Sequence, residues 1–203
     1  MSGWSEFRWT LYAPVYDVIA GSTEAARRRS LTLLQPRTGE HVLVAGCGTG
    51  LDFQHLPSGV KVTAIDASSR MVQRARRRAA VLGLDARVEV MDAAHLALPD
   101  AGFDAAVLHL ILAVMGDPAA CMREVARVVR PGGRVAVLDK FVPCDGEAGI
   151  VRRALDVVTR VVATSLTTRL DRLVDPRSFV IEREEPSMLR GQFRIVLLRR
   201  LPG

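Results

Sequence analysis

The stretch HVLVAGCGTG, residues His41–Gly50, decides how the rest of the chain folds. Its apolar residues are followed by glycines at alternate positions, and a second apolar run, Val60–Ile65, ends in Asp66. A short apolar run that stops at glycines is typical of a buried parallel strand leading into a helix. The acid that ends the next strand, 16 residues after the last glycine, lies where a carboxylate can bind a ribose diol. The stretch therefore predicts a pocket for a nucleoside cofactor at the edge of an α/β sheet.

Length and composition favour a single soluble domain. The chain has 203 residues, of which 49% are hydrophobic and 25% are charged. We predict one domain over residues 1–203, in which residues 1–40 form a helical lid and residues 41–203 form the cofactor-binding α/β core. The net charge of +6 favours anionic partners, namely nucleic acid, acidic metabolites or an anionic membrane surface.

The cysteines and the N-terminus bear on the compartment. Cys47, Cys121 and Cys144 are odd in number and lack the spacing of metal ligands, so we expect a reduced, cytoplasmic setting and no metal. The first ten residues include Glu6 and no long apolar core, so we expect no signal peptide. No window of 18 residues is uninterruptedly apolar. Any membrane contact would therefore be peripheral, at the inner membrane face.

Periodicity and turn residues divide the chain into alternating strands and helices. Helices are predicted from Ser22 or Thr23 to Leu34, from Ser68 or Ser69 to Leu82, and over Pro118–Arg130 and Ala148–Leu173. Beyond the two apolar runs above, strands are predicted over Arg87–Met91, Phe103–Leu108, Arg134–Leu138, Phe179–Glu184 and Gln192–Leu198. The order βαβαβαβαβαββ predicts a doubly wound, mainly parallel, seven-stranded sheet with a C-terminal antiparallel strand pair.

The N-terminal segment, residues 3–20, is rich in aromatic residues. Phe7 and Leu11 belong to a stripe at helical spacing, and Pro14 is expected to divide the segment into two short helical pieces. Two interpretations stay open. The segment is either a helix packed on the domain or a lid over the substrate that reaches a lipid interface. The following Arg27–Arg29 is expected to form a solvated face.

A second acid narrows the class of cofactor. Gly46, Gly48 and Gly50 do not match the dinucleotide pattern GxGxxG, and no P-loop lysine follows them. Asp92 ends the third predicted strand, 26 residues after Asp66. Two strand-end acids suit a nucleoside whose ribose hydroxyls and adenine amino group are both bound.

Together these features resemble the class I S-adenosylmethionine-dependent methyltransferases, in particular the methyltransferase type 11/25 group. The similar segments are VLVAGCGTG (42–50), VTAID (62–66), VMDAAHLALPDAGFDAAV (90–107) and EVARVVRPGGRVAVLD (124–139). The resemblance covers nearly the whole chain. It implies a Rossmann-like fold, an enzyme, and S-adenosyl-L-methionine as cofactor.

The resemblance also implies roles for the matching residues. The implied cofactor-binding residues are Gly46, Gly48, Gly50, Asp66, Ala67, Met71, Asp92 and Ala93. The glycines would line the methionyl and ribose portion, and Asp66 would accept both ribose hydroxyls. Met71 would pack near the adenine, whose amino edge Asp92 and Ala93 would bind. His109, at the end of the fourth strand, would face the transferred methyl group or the substrate.

One position departs from the family pattern. The family has an acid two residues before the first glycine, where this chain has Val44. That acid usually organises the loop around the amino-acid end of the cofactor. Either Asp52 or a main-chain arrangement takes over this role, or cofactor binding is weaker.

The two ends of the chain bear on the methyl acceptor. Segments near both ends and two between them resemble small bacterial phosphatidylethanolamine N-methyltransferase-like proteins. They are YAPVYD (12–17), LHLILAVMGDP (108–118), LDKF (138–141) and EEPSMLRGQFRIVLLRR (184–200). Quinone-ring C-methyltransferases share the Tyr/Asp start and the PGG turn. We expect methyl transfer to the amine of a phospholipid head group at the membrane surface. A C- or O-methyltransferase of a quinone or another small molecule is the alternative.

The candidate catalytic residues are His109, Tyr12 and Tyr16, although each of them could equally have a packing role. An amine acceptor needs only to lose a proton, whereas a phenol or ring carbon needs a base. Asp139 and Lys140 are expected near the pocket mouth.

Two other classes of protein stay open. A nucleic-acid methyltransferase would fit the positive net charge, but this chain has no NPPY or DPPY motif. A non-catalytic member of the fold would fit the absence of an acid at Val44. The sequence leaves the oligomeric state undetermined.

Overall fold

A seven-stranded sheet organises the computed structural model, which describes residues 23–140, 173–188 and 192–202. The elements are α1 Glu24–Leu34, β1 His41–Ala45, a 3-10 turn Phe53–His55, β2 Lys61–Asp66, α2 Ser69–Val81, β3 Ala86–Val90, β4 Phe103–His109, α3 Pro118–Val128, β5 Val129–Lys140, β6 Phe179–Pro186 and β7 Phe193–Arg200. The strand order is β3-β2-β1-β4-β5-β7-β6. The first five strands are parallel, and β7 is antiparallel to both neighbours. The predicted sheet and its C-terminal antiparallel pair are confirmed.

The strand order reverses at β1, which lies between β2 and β4. Ala45, the last residue of β1, pairs with Ile65 on one side and with Leu108 on the other. The loops that follow these three strands therefore start at the same edge of the sheet. In open α/β sheets this edge, at the point where the order reverses, is where ligands bind.

The two faces of β1 supply two parts of the core. Val42 and Val44 pack in one cluster with residues of α1 and α2, whereas Leu43 and Ala45 pack in another with residues of α3. All four side chains are at most 1% exposed. This alternation follows from the two-residue period of a strand that is covered on both faces. The buried strand provides a rigid base for the loop that follows it, residues 46–52, which we call the glycine loop.

Two of the connections lack the helix that the predicted order required. Between β1 and β2 the structure has only the 3-10 turn Phe53–His55. Between β3 and β4 residues 91–102 form turns and bends without a helix. Neither connection carries a sustained 3.6-residue apolar stripe, and both contain proline and glycine, which end helices. The strict alternation was therefore wrong at these two places.

Element ends differ from the predictions where proline intervenes. The helix predicted to reach Arg130 ends at Val128, and β5 begins at once and runs on to Lys140. Pro131 disfavours the helical conformation for the residue before it, so Arg130 is extended. The register between β4 and β5 shifts at this point, which accommodates the PGG sequence within the strand.

The helix caps give one confirmation and two corrections. Ser68 caps α2 as predicted, because its hydroxyl accepts from the N–H of Met71 at 3.4 Å. Thr23 makes no side-chain cap, and its Oγ1 atom instead accepts from Nε of Arg27 at 3.0 Å. Leu82, to which the helix was predicted to extend, lies beyond the end of α2 at Val81 and is 45% exposed.

Candidate active site

The loop after β1 turns in a way that only glycine allows. Gly46, Gly48 and Gly50 have φ angles of 67°, 53° and 80°. A Cβ atom on Gly46 would lie 2.5 Å from Cδ1 of Ile111, and one on Gly50 would lie 2.6 Å from the Phe53 ring. Both the left-handed backbone and the lack of space require glycine at these positions. The loop therefore presents main chain, with little side chain, at the ligand-binding edge of the sheet.

Asp66, the acid at the end of β2, is fixed by two main-chain donors. Its Oδ2 atom accepts from the N–H of Gly48 and its Oδ1 atom from the N–H of Ser68, both at 2.9 Å. Burial raises the pKa of this carboxyl, and the two N–H donors partly offset that rise. Each carboxylate oxygen retains a further lone pair, so Asp66 can accept two hydroxyl hydrogen bonds. A ribose diol needs an acceptor of this kind.

Thr49 gives the glycine loop an unsatisfied polar atom. The residue is 6% exposed, and its hydroxyl has no hydrogen-bond partner within the part of the chain that the structure describes. Such a buried group costs roughly 1–3 kcal/mol unless a bound molecule satisfies it. The polar parts of S-adenosylmethionine, its amino-acid end and its ribose, would supply a partner. The loop and Asp66 therefore fit the cofactor that the sequence implies.

The residues predicted around the adenine follow the ends of β2 and β3. Met71 lies in the first turn of α2 and is 9% exposed. Ala67 is exposed, and Ala93 is buried in the core. Asp92 is exposed, and its Oδ1 atom accepts from the N–H of Ala94 at 2.9 Å. Since β2 and β3 are adjacent and parallel, these residues lie at one edge of the sheet, and their contacts with a cofactor stay predictions.

His109 ends β4 as predicted, but its ring is enclosed by the protein. The side chain is 1% exposed. Its Nδ1 atom lies 2.7 Å from Oδ1 of Asp52, and its Nε2 atom lies 2.9 Å from Oγ of Ser30. Both ring nitrogens are used internally, so a role as base would require Nε2 to leave Ser30. A catalytic role for His109 stays a prediction, and these contacts favour a positioning role.

Asp52 and Arg27 form a buried ion pair beside the glycine loop. Nη1 of Arg27 lies 2.8 Å from both carboxylate oxygens, and the two side chains are 3% and 4% exposed. Burial opposes ionisation of Asp52, but the His109 ring and the Arg27 guanidinium hold its pKa well below the usual range. The predicted solvated face is wrong for Arg27, because this arginine compensates a carboxylate that the fold buries.

The pairing of Arg27 with Asp52 was not predicted, although the sequence of α1 contains a signal for it. Arg27, Leu31 and Leu34 recur at spacings of four and three residues, and all three are buried. An arginine within such an apolar stripe faces the core and needs a buried acid as partner. Nothing in the sequence identifies that acid, because Asp52 lies 25 residues away.

Ser30, His109 and Asp52 share the hydrogen-bond order of a Ser–His–Asp triad. Ser30 has no exposed surface, and Arg27 is hydrogen-bonded to the carboxylate of Asp52. A substrate carbonyl cannot reach the hydroxyl in this conformation. The arrangement is therefore a link between α1, the glycine loop and β4, and it is not an acyl-transfer site.

Asp139, at the end of β5, is a second buried carboxylate and is 1% exposed. Its Oδ2 atom accepts from the N–H groups of Leu112 and Ala113 at 2.7 and 3.3 Å, and its Oδ1 atom accepts from the N–H of Lys140 at 2.8 Å. Burial raises its pKa to about 6 despite these donors. Asp139 thus fixes the segment after β4 and does not present its carboxylate to a substrate.

Two further expectations concern catalysis and metal. Tyr12 and Tyr16 lie outside the described residues, as does almost all of the helix predicted over Ala148–Leu173. The catalytic role of the two tyrosines therefore stays a prediction. Within residues 23–140, 173–188 and 192–202, no group of three or more His, Cys, Asp and Glu side chains could hold a metal ion.

The sheet order, the glycine loop and the acid after β2 define a Rossmann-like nucleotide-binding domain of the methyltransferase type. A family model described as methyltransferase domain matches residues 43–137. A phosphatidylethanolamine N-methyltransferase of Cereibacter sphaeroides is 32% identical over 196 residues, which cover 95% of this chain and 94% of the relative. The chain belongs to the S-adenosylmethionine-dependent methyltransferases.

Other similar proteins share the domain and differ in acceptor. A demethylmenaquinone methyltransferase of Thermus thermophilus is 32% identical over 149 residues, 70% of this chain and 68% of the relative. Among solved structures, a geranyl diphosphate C-methyltransferase of Streptomyces coelicolor, in complex with S-adenosyl-L-homocysteine, has a TM-score of 0.69 at 17% identity. That alignment covers 87% of this chain and 80% of the other, and it supports the fold alone.

Proposed function

We propose that the protein transfers a methyl group from S-adenosylmethionine to the amine of a phospholipid head group of the phosphatidylethanolamine type, at a membrane surface. The similarity to the Cereibacter sphaeroides enzyme carries this proposal, because it extends over 95% of the chain. A relative that matches only the cofactor domain would support methyl transfer in general. Similarity that also includes both ends of the chain bears on the acceptor as well.

The chemistry of the described site supports an amine acceptor. The cofactor, when bound, supplies a methyl group already activated on a sulfonium, so this chain must bind, orient and exclude water. An amine needs only to lose a proton to solvent, whereas a phenol or ring carbon needs a strong base. At the ligand-binding edge, His109 uses both ring nitrogens internally and Asp139 is buried. Among the described residues, neither side chain is available as such a base.

The outer side of α2 supports contact with an anionic surface. The helix contains five arginines and no acid: Arg70, Arg74, Arg76, Arg77 and Arg78. Just beyond them Val81 is 86% exposed. Anionic lipids attract such cations by about 1 kcal/mol per residue near the surface. In the described part of the chain no helix is long and apolar enough to cross a membrane, so we propose a peripheral contact.

A quinone or other small-molecule acceptor is the second candidate. The similarity to the demethylmenaquinone methyltransferase favours it, over 70% of this chain. The N-terminal segment with Tyr12 and Tyr16, which is expected to cover the substrate, lies outside the described residues.

Radiolabelled methyl transfer in the presence of vesicles tests the proposal. Vesicles of phosphatidylglycerol with phosphatidylethanolamine are incubated with the protein and S-[methyl-³H]adenosylmethionine, and the lipid extract is counted. We expect label in the phosphatidylethanolamine fraction and none with the Asp66→Ala variant. Label in demethylmenaquinone or in a soluble amine, with unlabelled phosphatidylethanolamine, would show that the acceptor is wrong while methyl transfer stands.

A further inference from the structure

A buried cluster of four polar side chains joins three elements beside the glycine loop. Arg27 and Ser30 come from α1, Asp52 comes from the loop, and His109 comes from the end of β4. Each is at most 4% exposed, and hydrogen bonds of 2.7–2.9 Å connect them in one chain. Burying so many polar groups is costly unless all are paired. In this buried cluster the pairing is complete for Asp52 and for both nitrogens of His109.

Further contacts hold the outer side of the loop against α1. Glu24 accepts from Nε2 of Gln54 at 2.9 Å and lies 2.9 Å from Nε2 of His55. The Phe53 ring is 2% exposed and packs in the same core cluster as Leu31 of α1. The segment after the last glycine is therefore fixed to α1 by an apolar contact, by the partly exposed Glu24 and by the buried ion pair.

The inner side of the loop is held through its main chain. The N–H of Gly48 donates to Asp66, the N–H of Cys47 to the carbonyl of Ile65, and the N–H of Gly50 to the carbonyl of Cys47. Val44, before the first glycine, is apolar and buried and contributes no polar contact. Between Glu40 and Asp66 the only acid is Asp52, so Asp52 is the one acidic side chain of the loop itself, whereas Asp66 holds Gly48 from the end of β2.

We propose that Arg27, Asp52 and His109 are positioning residues that hold the glycine loop in the conformation that binds S-adenosylmethionine. They act through the main chain of the loop, since Asp52 lies two residues after Gly50. Cofactor affinity then depends on the pairing of Asp52 with Arg27 and His109, and removal of one partner leaves a buried charge that pulls the loop out of place. This inference rests on the proposed cofactor-dependent function.

Calorimetric titration of the full chain with S-adenosyl-L-homocysteine, a non-reacting product of the cofactor, tests the inference. Arg27→Met is expected to weaken binding about tenfold or more, and Arg27→Lys, which keeps the charge but loses the planar fork, is expected to weaken it less. Arg29→Met is the matched control, because Arg29 lies two residues further on the same helix and pairs with Glu185 at the surface. It is expected to bind within about twofold of the natural protein.

A double variant separates positioning from general stability. Arg27→Met with Asp52→Asn leaves no unpaired charge, so its affinity is expected to be no weaker than that of Arg27→Met alone. Thermal unfolding without ligand is measured in parallel. A purely structural pair would lower the unfolding temperature and leave the dissociation constant of the folded protein unchanged, and this result would overturn the inference.

Failure of the proposed function has a different signature. If the natural chain binds neither S-adenosylmethionine nor its product, the cofactor function fails before any variant is compared. If Arg27→Met does not fold, Arg27→Lys and Ser30→Ala carry the test, since each preserves the buried charge balance. Weaker binding by both, with Arg29→Met unchanged, supports the inference, and natural affinity in both contradicts it.

Discussion

At the scale of single residues, Asp66 combines two tasks in one carboxylate. It accepts from the main chain of Gly48 and Ser68, and it retains capacity for two ribose hydroxyls. In Asp66→Asn the amide group must face one of these N–H donors, and the charge is lost. We expect S-adenosylmethionine to bind roughly 10-fold to 100-fold more weakly, as for lost hydrogen bonds to a charged group. Calorimetry checks this with Asp85→Asn, an exposed acid, as control, and equal losses in both variants would contradict the assignment.

The two buried carboxylates Asp52 and Asp139 respond to pH with opposite sign. Asp52 has a lowered pKa, so its contribution to stability is present above its ordinary value of 3.8 and is lost as the pH falls. Asp139 has a pKa raised to about 6, so the folded state binds its proton more readily than the unfolded chain does. The contribution of Asp139 is fully present only below its ordinary pKa of 3.8 and is lost as the pH rises through 6.

Asp139→Asn isolates the second effect. We expect the unfolding free energy of the natural protein, minus that of the variant, to fall by about 2 kcal/mol between pH 4 and pH 7. The histidines and the other acids titrate in both proteins and cancel in this difference. Urea unfolding at a series of pH values measures it, and a difference that is independent of pH would show that Asp139 stays ionised throughout.

Sequence reasoning at this scale located acids and missed their partners. Asp66 and Asp92 could be predicted because the end of a strand fixes which edge of the sheet a residue reaches. The partners of His109 lie 57 and 79 residues away, and no periodicity encodes such a contact. Its position at the strand end was therefore predictable, and its enclosure was not.

At the scale of elements, two glycines allow the steric cost of an added Cβ atom to be separated from the conformational cost of a left-handed backbone. Gly46 and Gly83 both have positive φ, of 67° and 61°. A Cβ on Gly46 would overlap Ile111, whereas nothing lies within 4 Å of one on Gly83. Gly83→Ala should cost about 1–2 kcal/mol for the backbone alone, and Gly46→Ala roughly 1–3 kcal/mol more for the overlap. Denaturant unfolding of both variants checks this, and equal costs would mean that Ile111 yields without strain.

The strands were more predictable than their connections for a physical reason. A buried parallel strand needs a continuous apolar run, and VLVA and VTAI supply one whatever follows them. A crossover between parallel strands needs only enough chain to return, so residues 91–102 can make it with turns. The topology could therefore be predicted from the strands, whereas the helix content of the crossovers could not.

At the scale of the whole molecule, the shared domain determines the cofactor and leaves the acceptor open. Relatives named for a phospholipid and for a quinone both match this chain at 32% identity. The two alignments cover 95% and 70% of this chain. The acceptor must therefore be argued from the site that binds it and cannot be read from the architecture.

The charge distribution gives a whole-molecule prediction that is independent of the acceptor. Arg74 and Arg77 are exposed on α2, a helix without acids. Reversing both charges in Arg74→Glu with Arg77→Glu removes about 2 kcal/mol of attraction to an anionic surface and adds repulsion, so binding to phosphatidylglycerol vesicles should weaken at least about 30-fold. Added salt should weaken the natural protein's binding in the same direction. Vesicle co-sedimentation measures both effects.

The matched control has the same net charge as the double variant of α2, but its reversed charges lie elsewhere on the protein. Arg123→Glu with Arg177→Glu also reverses two exposed arginines, at sites outside α2. If α2 is the contact, this control should bind anionic vesicles within about threefold of the natural protein, because charges beyond a Debye length of about 8–10 Å from the lipid are screened. Equal loss in the two double variants would show that net charge alone attracts the protein. If the protein bound RNA in a salt-sensitive manner and did not bind vesicles, the arginines of α2 would instead be assigned to binding nucleic acid.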